Sequence, residues 1–187
     1  MGSTETKRPI GAPAAERTAR DYEIIYAIGR SGAGRILVAR TQLGICAILI
    51  GPDAAALKHD LATRFPRQTR VLASALLFDE MRQVIAFIDD PRIELDLPLD
   101  TRHGTQFQQR VWQALRTIPR GTTESYTALA RRIGEPKGAR AVAAAFAANA
   151  IALAIPCHRV VRANGALSGY RWGVALKQTL LEREALA

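Results

Sequence analysis

The chain has 187 residues, 48% of them hydrophobic and 23% charged, with a formal net charge of +9. Two cysteines exclude a disulfide framework and a four-thiolate zinc site, and no apolar run approaches the ~20 residues of a membrane span. Without an apolar leader at the start, the expectation is a cytoplasmic protein in a reducing compartment with no membrane partner.

Residues 1–20 are polar, carry Pro9 and Pro13, and read as a disordered arm. From Asp21 the runs DYEIIYAIG, GRILVART and GICAILIG alternate with Gly-rich turns, which predicts a meander of strands. Asp53 is placed to cap a helix over 54–65. A second helix is predicted between Val71 and Ile88, stopped by Asp89-Asp90-Pro91. Residues 92–103 read as an extended linker. This places an N-terminal α/β domain over 21–95 and a second domain over 96–187.

The second half reads as helical. Thr105 caps a helix with Phe107, Val111 and Leu115 on one face, and Pro119 and Gly121 end it. Ser125 caps a short helix, YTALARRI, whose Leu129 and Ile133 face inward. A turn over 134–138 leads into ARAVAAAFAAN, and two short helices across a Gly-containing turn form a helix-turn-helix pattern. The second of these carries Arg140 and otherwise little but alanine. It suits a slim surface for a narrow groove with little base readout, or equally a buried helix packed closely through Ala. Residues 1–101 hold 13 basic and 13 acidic side chains, whereas residues 102–187 hold 13 and 4. The whole excess therefore sits in the second half, which suits a polyanion such as nucleic acid or, alternatively, a solvated basic face.

The segment IALAIPCHRVVRANG carries the chemistry. Its apolar run predicts a buried strand ending at Pro156, followed at once by Cys157, His158 and Arg159. An imidazole and cations near a thiol favour the nucleophilic thiolate. Cysteine as a small buried hydrophobe is the alternative, because neighbours on an extended chain point apart. Cys46, His59, His103 and His158 lack zinc-ligand spacing, so no metal is expected, and Cys46 reads as inert core.

Ile155-Pro156-Cys157-His158-Arg159-Val160-Val161 resembles the active-site signature of the O6-alkylguanine-DNA alkyltransferases. SYTALA, GEPKGARAVAAAFAAN and LSGYRWGVALKQTLLERE extend the resemblance from Phe107 to Glu184. Among Ada-type bacterial members GRILVARTQLGICAILIG matches as well. The resemblance implies an α/β fold, with a ribonuclease-H-like sheet-and-helix domain and a helical C-terminal domain bearing the helix-turn-helix. It implies irreversible repair of double-stranded DNA: an alkyl group, chiefly methyl, passes from O6-alkylguanine, and from O4-alkylthymine, to Cys157.

By the same resemblance, His158 acts through a water as the base and Glu184 orients its ring. Asn149 bridges the Ala-rich helix to the active-site strand. Arg140 replaces the flipped nucleotide in the stack, Tyr126 attends that nucleotide, and Ala141, Ala144 and Ala145 lie along the minor groove. Val160, Ser168, Tyr170, Arg171 and Trp172, with Tyr126, line the guanine pocket. Arg171 and Trp172 stand where some members carry small residues, which implies faster transfer of methyl than of benzyl. No cofactor is implied, a monomer suffices, and the DNA-bound protein is expected at the nucleoid. A lesion-binding protein without chemistry and a cysteine hydrolase with turnover are the rival readings.

Overall fold

The computed structural model describes residues 22–90, 92–167 and 169–186. The predicted arm over 1–20 and the pocket residue Ser168 lie outside them. The three predicted strands form as β1 (Glu23–Ser31), β2 (Gly34–Thr41) and β3 (Gly44–Gly51), paired antiparallel in sequence order. Along β2, Ile36 and Val38 enter one core while Leu37 and Ala39 enter another, the two-residue alternation of a sheet buried on both faces. Helix α1 (Ala54–Arg64) begins where the Asp53 carboxylate accepts from the Ala56 amide at 2.8 Å, as predicted.

The second predicted helix needs correction. Thr69–Leu72 is strand β4, Ser74–Leu77 is a 3-10 turn, and α2 runs only over Phe78–Asp89. Thr69-Arg70-Val71-Leu72 pairs in parallel with β1, where Ile25 and Tyr26 sit opposite Val71 and Leu72. That pairing satisfies backbone groups on the free edge of β1, and it overrides the helical pattern.

The other edge of the sheet organises the rest of the chain. Ile45 donates to the Pro98 carbonyl at 2.7 Å and accepts from the Asp100 amide at 2.8 Å, so the linker lies along β3. Gly44 sits at φ +146°, and a Cβ there would meet the Pro98 carbonyl oxygen at 2.4 Å, so the crossing requires glycine. Farther along the same edge, Ile48 donates to Ala150 at 2.9 Å and accepts from Ala152 at 3.0 Å. The exposed edge of β3 is thereby covered by the segment that leads to Cys157.

After the linker, α3 (Gln106–Arg116) starts in a capping box formed by Thr105 and Gln108. Ser125 caps α4 (Tyr126–Arg132), and α5 (Ala139–Ala148) follows a turn with Gly134 at φ +80°. Glu124–Ser125 and Val160–Val161 pair in parallel as β5 and β6, and α6 (Val174–Ala185) comes last. The strand predicted up to Pro156 is absent: only Ile151 bridges to β3, and Leu153 turns to φ +68°. The Asn149 side chain bonds both the Ile151 amide and the Ile155 carbonyl, which folds the apolar run back on itself in place of a ladder. The fold is mixed α/β, and its larger core runs unbroken from Ile36 and Ile48 to Val111, Leu129 and Val142.

The last turn of α5 has carbonyls to satisfy from outside the helix. The Trp112 indole donates to Ala145 at 2.9 Å and Arg64 donates to Ala148 at 3.0 Å. Trp112→Phe keeps most of the apolar volume but leaves the Ala145 carbonyl without that donor. Urea unfolding should show a loss of about 1–3 kcal/mol with the denaturant slope unchanged.

Candidate active site

Cys157 opens a 3-10 turn, Cys157–Arg159, and is 5% exposed. Asn149 ends α5 beneath it. Its Oδ1 accepts from Ile151 at 2.8 Å, and its Nδ2 donates to Ile155 at 3.3 Å and reaches Cys157 Sγ at 3.5 Å. The amide therefore fixes both the chain path and the sulfur.

His158 and Glu184 are both fully buried, and His158 Nε2 lies 2.9 Å from Glu184 Oε1. Arg159 donates to both oxygens of the same carboxylate at 3.0 Å, and to the Ile118 carbonyl at 2.7 Å. Burial alone would raise the Glu184 pKa, but the bonds from His158 and Arg159 outweigh it and hold it at about 2. Burial lowers the His158 pKa, with Glu184 pulling the other way. An ionised Glu184 accepts the Nε2 proton, which assigns that tautomer and leaves Nδ1 as an unprotonated base. Nδ1 is buried without a protein partner.

Burial pushes the Cys157 thiol up to about 11, against the Asn149 hydrogen bond and the charge of Lys177. Lys177, fully buried on α6, donates to the Val160 carbonyl at 2.5 Å. Tyr170 meets the His158 ring edge-on at 6.4 Å and Trp172 at 5.2 Å. Its hydroxyl is buried without a partner, and burial followed by the Cys157 charge holds its pKa well above the usual value. A neutral thiol, a fixed amide, an oriented imidazole and a buried ammonium are the parts of a nucleophilic site that depends on a base.

The structure thus gathers Cys157, His158, Glu184, Asn149, Val160, Tyr170 and Trp172. Arg171 instead donates to Asp60 of α1 at 2.6 Å. Arg140, Ala141 and Ala144 are exposed along α5, whereas Ala145 is 2% exposed. Ala145 therefore leaves the predicted outer face, because the helical repeat turns it inward beside Val142. Tyr126 is half-buried against Phe146, with ring centroids 5.0 Å apart. Arg159, read from the sequence as a cation beside the thiol, instead grips the Glu184 carboxylate, and Lys177 and Asp60 are neighbours that sequence reasoning missed. Lys177, Leu180 and Glu184 share one buried face of α6, and charged residues within an apolar stripe were the available signal. Among the described residues no three His, Cys, Asp or Glu side chains cluster as a metal site.

The family model for the 6-O-methylguanine DNA methyltransferase DNA-binding domain matches residues 106–186. The whole fold is similar to Mycobacterium tuberculosis OGT, solved in complex with DNA, with a TM-score of 0.70 and 36% identity. That likeness covers 87% of this chain and 93% of the other. The chain belongs to the O6-alkylguanine-DNA alkyltransferase family.

Among curated relatives, the bifunctional transcriptional activator/DNA repair enzyme Ada of Escherichia coli K12 is 54% identical over 160 residues, 86% of this chain and 45% of Ada. The methylated-DNA–protein-cysteine methyltransferase of Mycolicibacterium paratuberculosis is 49% identical over 104 residues, 56% of this chain and 62% of that protein. The chain spans about half the length of the curated relatives it matches. The alkyltransferase family match encloses the thiol turn, α4, α5 and α6 together.

The buried pair makes stability depend on acid. Glu184 titrates in the fold at about 2, below its ordinary 4.5. Its contribution is therefore complete above pH 4.5 and is lost as pH falls through about 2. His158 is likewise held below its ordinary 6.5, so its contribution also disappears as pH drops from there. In pH-resolved urea unfolding, Glu184→Gln should flatten the decline between pH 4.5 and 2. An equally steep decline in the variant would contradict this account.

Proposed function

We propose that the protein repairs DNA by transferring an alkyl group, chiefly methyl, from O6 of guanine to Cys157, once per chain and irreversibly. The observation that carries the reading is the buried thiol held by Asn149 next to a His158–Glu184 pair whose free Nδ1 is a base. O4-alkylthymine is a second substrate in this proposal.

A thiol at about 11 that ionised alone at pH 7 would cost roughly 5 kcal/mol. His158 Nδ1 offsets this by taking the proton through a water, while Glu184 balances the imidazolium. Sulfur then forms its bond to the alkyl carbon as the carbon–O6 bond breaks. The electron pair leaves with guanine, which takes up the proton that the thiol released. Tyr126 donates its hydroxyl to the departing base. The product is a thioether, and among the described residues none is placed to cleave it.

Because Cys157 is 5% exposed, a stacked base cannot reach it, so the nucleotide rotates out of the duplex at a cost of a few kcal/mol. In this reading α4 and α5 form a helix-turn-helix, and Arg140, Ala141 and Ala144 enter the minor groove. Arg140 fills the vacated space, and sequence preference is weak. Residues 21–95 form a ribonuclease-H-like support, while residues 96–187 bind DNA and accept the alkyl group. The partner is double-stranded DNA, the acting species a monomer, and the location the cytoplasm and its nucleoid.

Incubation with duplex DNA containing O6-methylguanine should add one methyl to the Cys157 peptide by mass, saturating at one per chain. Cys157→Ala should abolish transfer and keep lesion binding, and His158→Ala should slow transfer ~100-fold or more. Repaired DNA accumulating beyond one per chain would overturn the irreversible mechanism.

A further inference from the structure

A carboxylate on α1 meets a cation of the C-terminal half. Asp60 Oδ1, on α1, accepts from Arg171 at 2.6 Å and from Arg64 at 3.1 Å. Arg64 is itself anchored, since it donates to Ala148 at the end of α5 and its side chain is 12% exposed. Arg171 is freer, with a side chain 37% exposed. It lies between Gly169 and Gly173, at neither of which an added Cβ would meet an atom within 4 Å. Trp172 borders a groove of about 500 Å³ against Ala56, His59, Asp60 and Thr63 of α1, and its ring packs on Tyr170, which packs on His158.

An isolated, partly exposed ion pair contributes little. Here, however, one oxygen separates two guanidinium groups, and each lowers the other's tendency to remain nearby; the Arg171 charge already acts against that of Arg64. Without the carboxylate the two cations face each other. Arg64 cannot move without releasing the α5 carbonyl, so the Gly-flanked Arg171–Trp172 segment is the part that yields.

We propose that Asp60 is a positioning residue that sets the size limit for the transferred group, by holding the Arg171–Trp172 wall against α1. The inference rests on the alkyl-transfer reading above and assigns a specificity role to the N-terminal half.

The test measures single-turnover alkylation of Cys157 at saturating duplex DNA, with O6-methylguanine and with O6-benzylguanine, as a ratio of rate constants. The ratio does not depend on how much of a variant is folded. Asp60→Asn should lower the methyl-to-benzyl ratio ~5-fold or more, equivalent to about 1 kcal/mol between the two transition states. Asp60→Glu should restore most of it. Arg171→Ala should lower the ratio similarly, and the double variant should add nothing further. An unchanged ratio in both Asp60→Asn and Arg171→Ala, or strictly additive effects, would overturn the inference. A wild-type protein that transfers neither group would instead overturn the functional reading, and this inference with it.

Discussion

A carboxylate with no access to water must be neutralised where it lies, or it drives the chain open. Glu184 is such a group, 1% exposed, and it is met by His158 on one oxygen and by Arg159 on both. Three consequences follow from this arrangement. Helix α6 is locked onto the turn that carries Cys157. The imidazole can take only one orientation, with Nδ1 turned away from the carboxylate. Arg159, held at its other end by the Ile118 carbonyl, extends the lock to the end of α3. Loss of the carboxylate would leave a buried cation and an unanchored ring, so the pair is a structural fastening and, in the proposed reaction, the source of the site's basicity.

The N-terminal half completes what Glu184 begins. Its strand β3 lends an edge to Ala150 and Ala152, immediately before the thiol turn. Its helix α1 reaches across to cap the end of α5 through Arg64 and to hold Arg171 through Asp60. Apolar contacts join the same two halves, because the larger core includes residues from both sides of the linker. The site therefore rests on a continuous packed body, which suits a reaction that requires sulfur, base and wall to keep fixed positions.

The two cysteines show what burial alone achieves and what neighbours add. Cys46 is raised to about 12 and Cys157 to about 11, in each case chiefly by desolvation. Cys46 lies in β3, where its thiol donates to the Ala39 carbonyl at 3.5 Å. Cys157 has an amide at 3.5 Å, a buried ammonium acting on it and an imidazole in the adjacent residue. In the proposed reaction the resting thiol is protonated, and its reactivity depends on the base that Glu184 orients.

Much of this was legible in the residues themselves. Alternation and Gly-rich turns specified β1, β2 and β3, and Asp53, Thr105 and Ser125 announced the starts of α1, α3 and α4. The Pro-Cys-His-Arg run pointed to the proposed nucleophile through family resemblance. These signals are local, carried by repeats and caps that act within one or two turns. Tertiary structure alone decided the rest. Val71 became a strand because β1 had an edge to fill. The run before Pro156 folded back because Asn149 bonds both ends of it. Ala145 turned inward, Lys177 found the Val160 carbonyl, and Asp60 met Arg171 across 111 residues. A charged side chain reads the same in sequence whether it faces water or a distant partner. Only packing sets which charges are stripped of water together, and that desolvation turns scattered residues into a site.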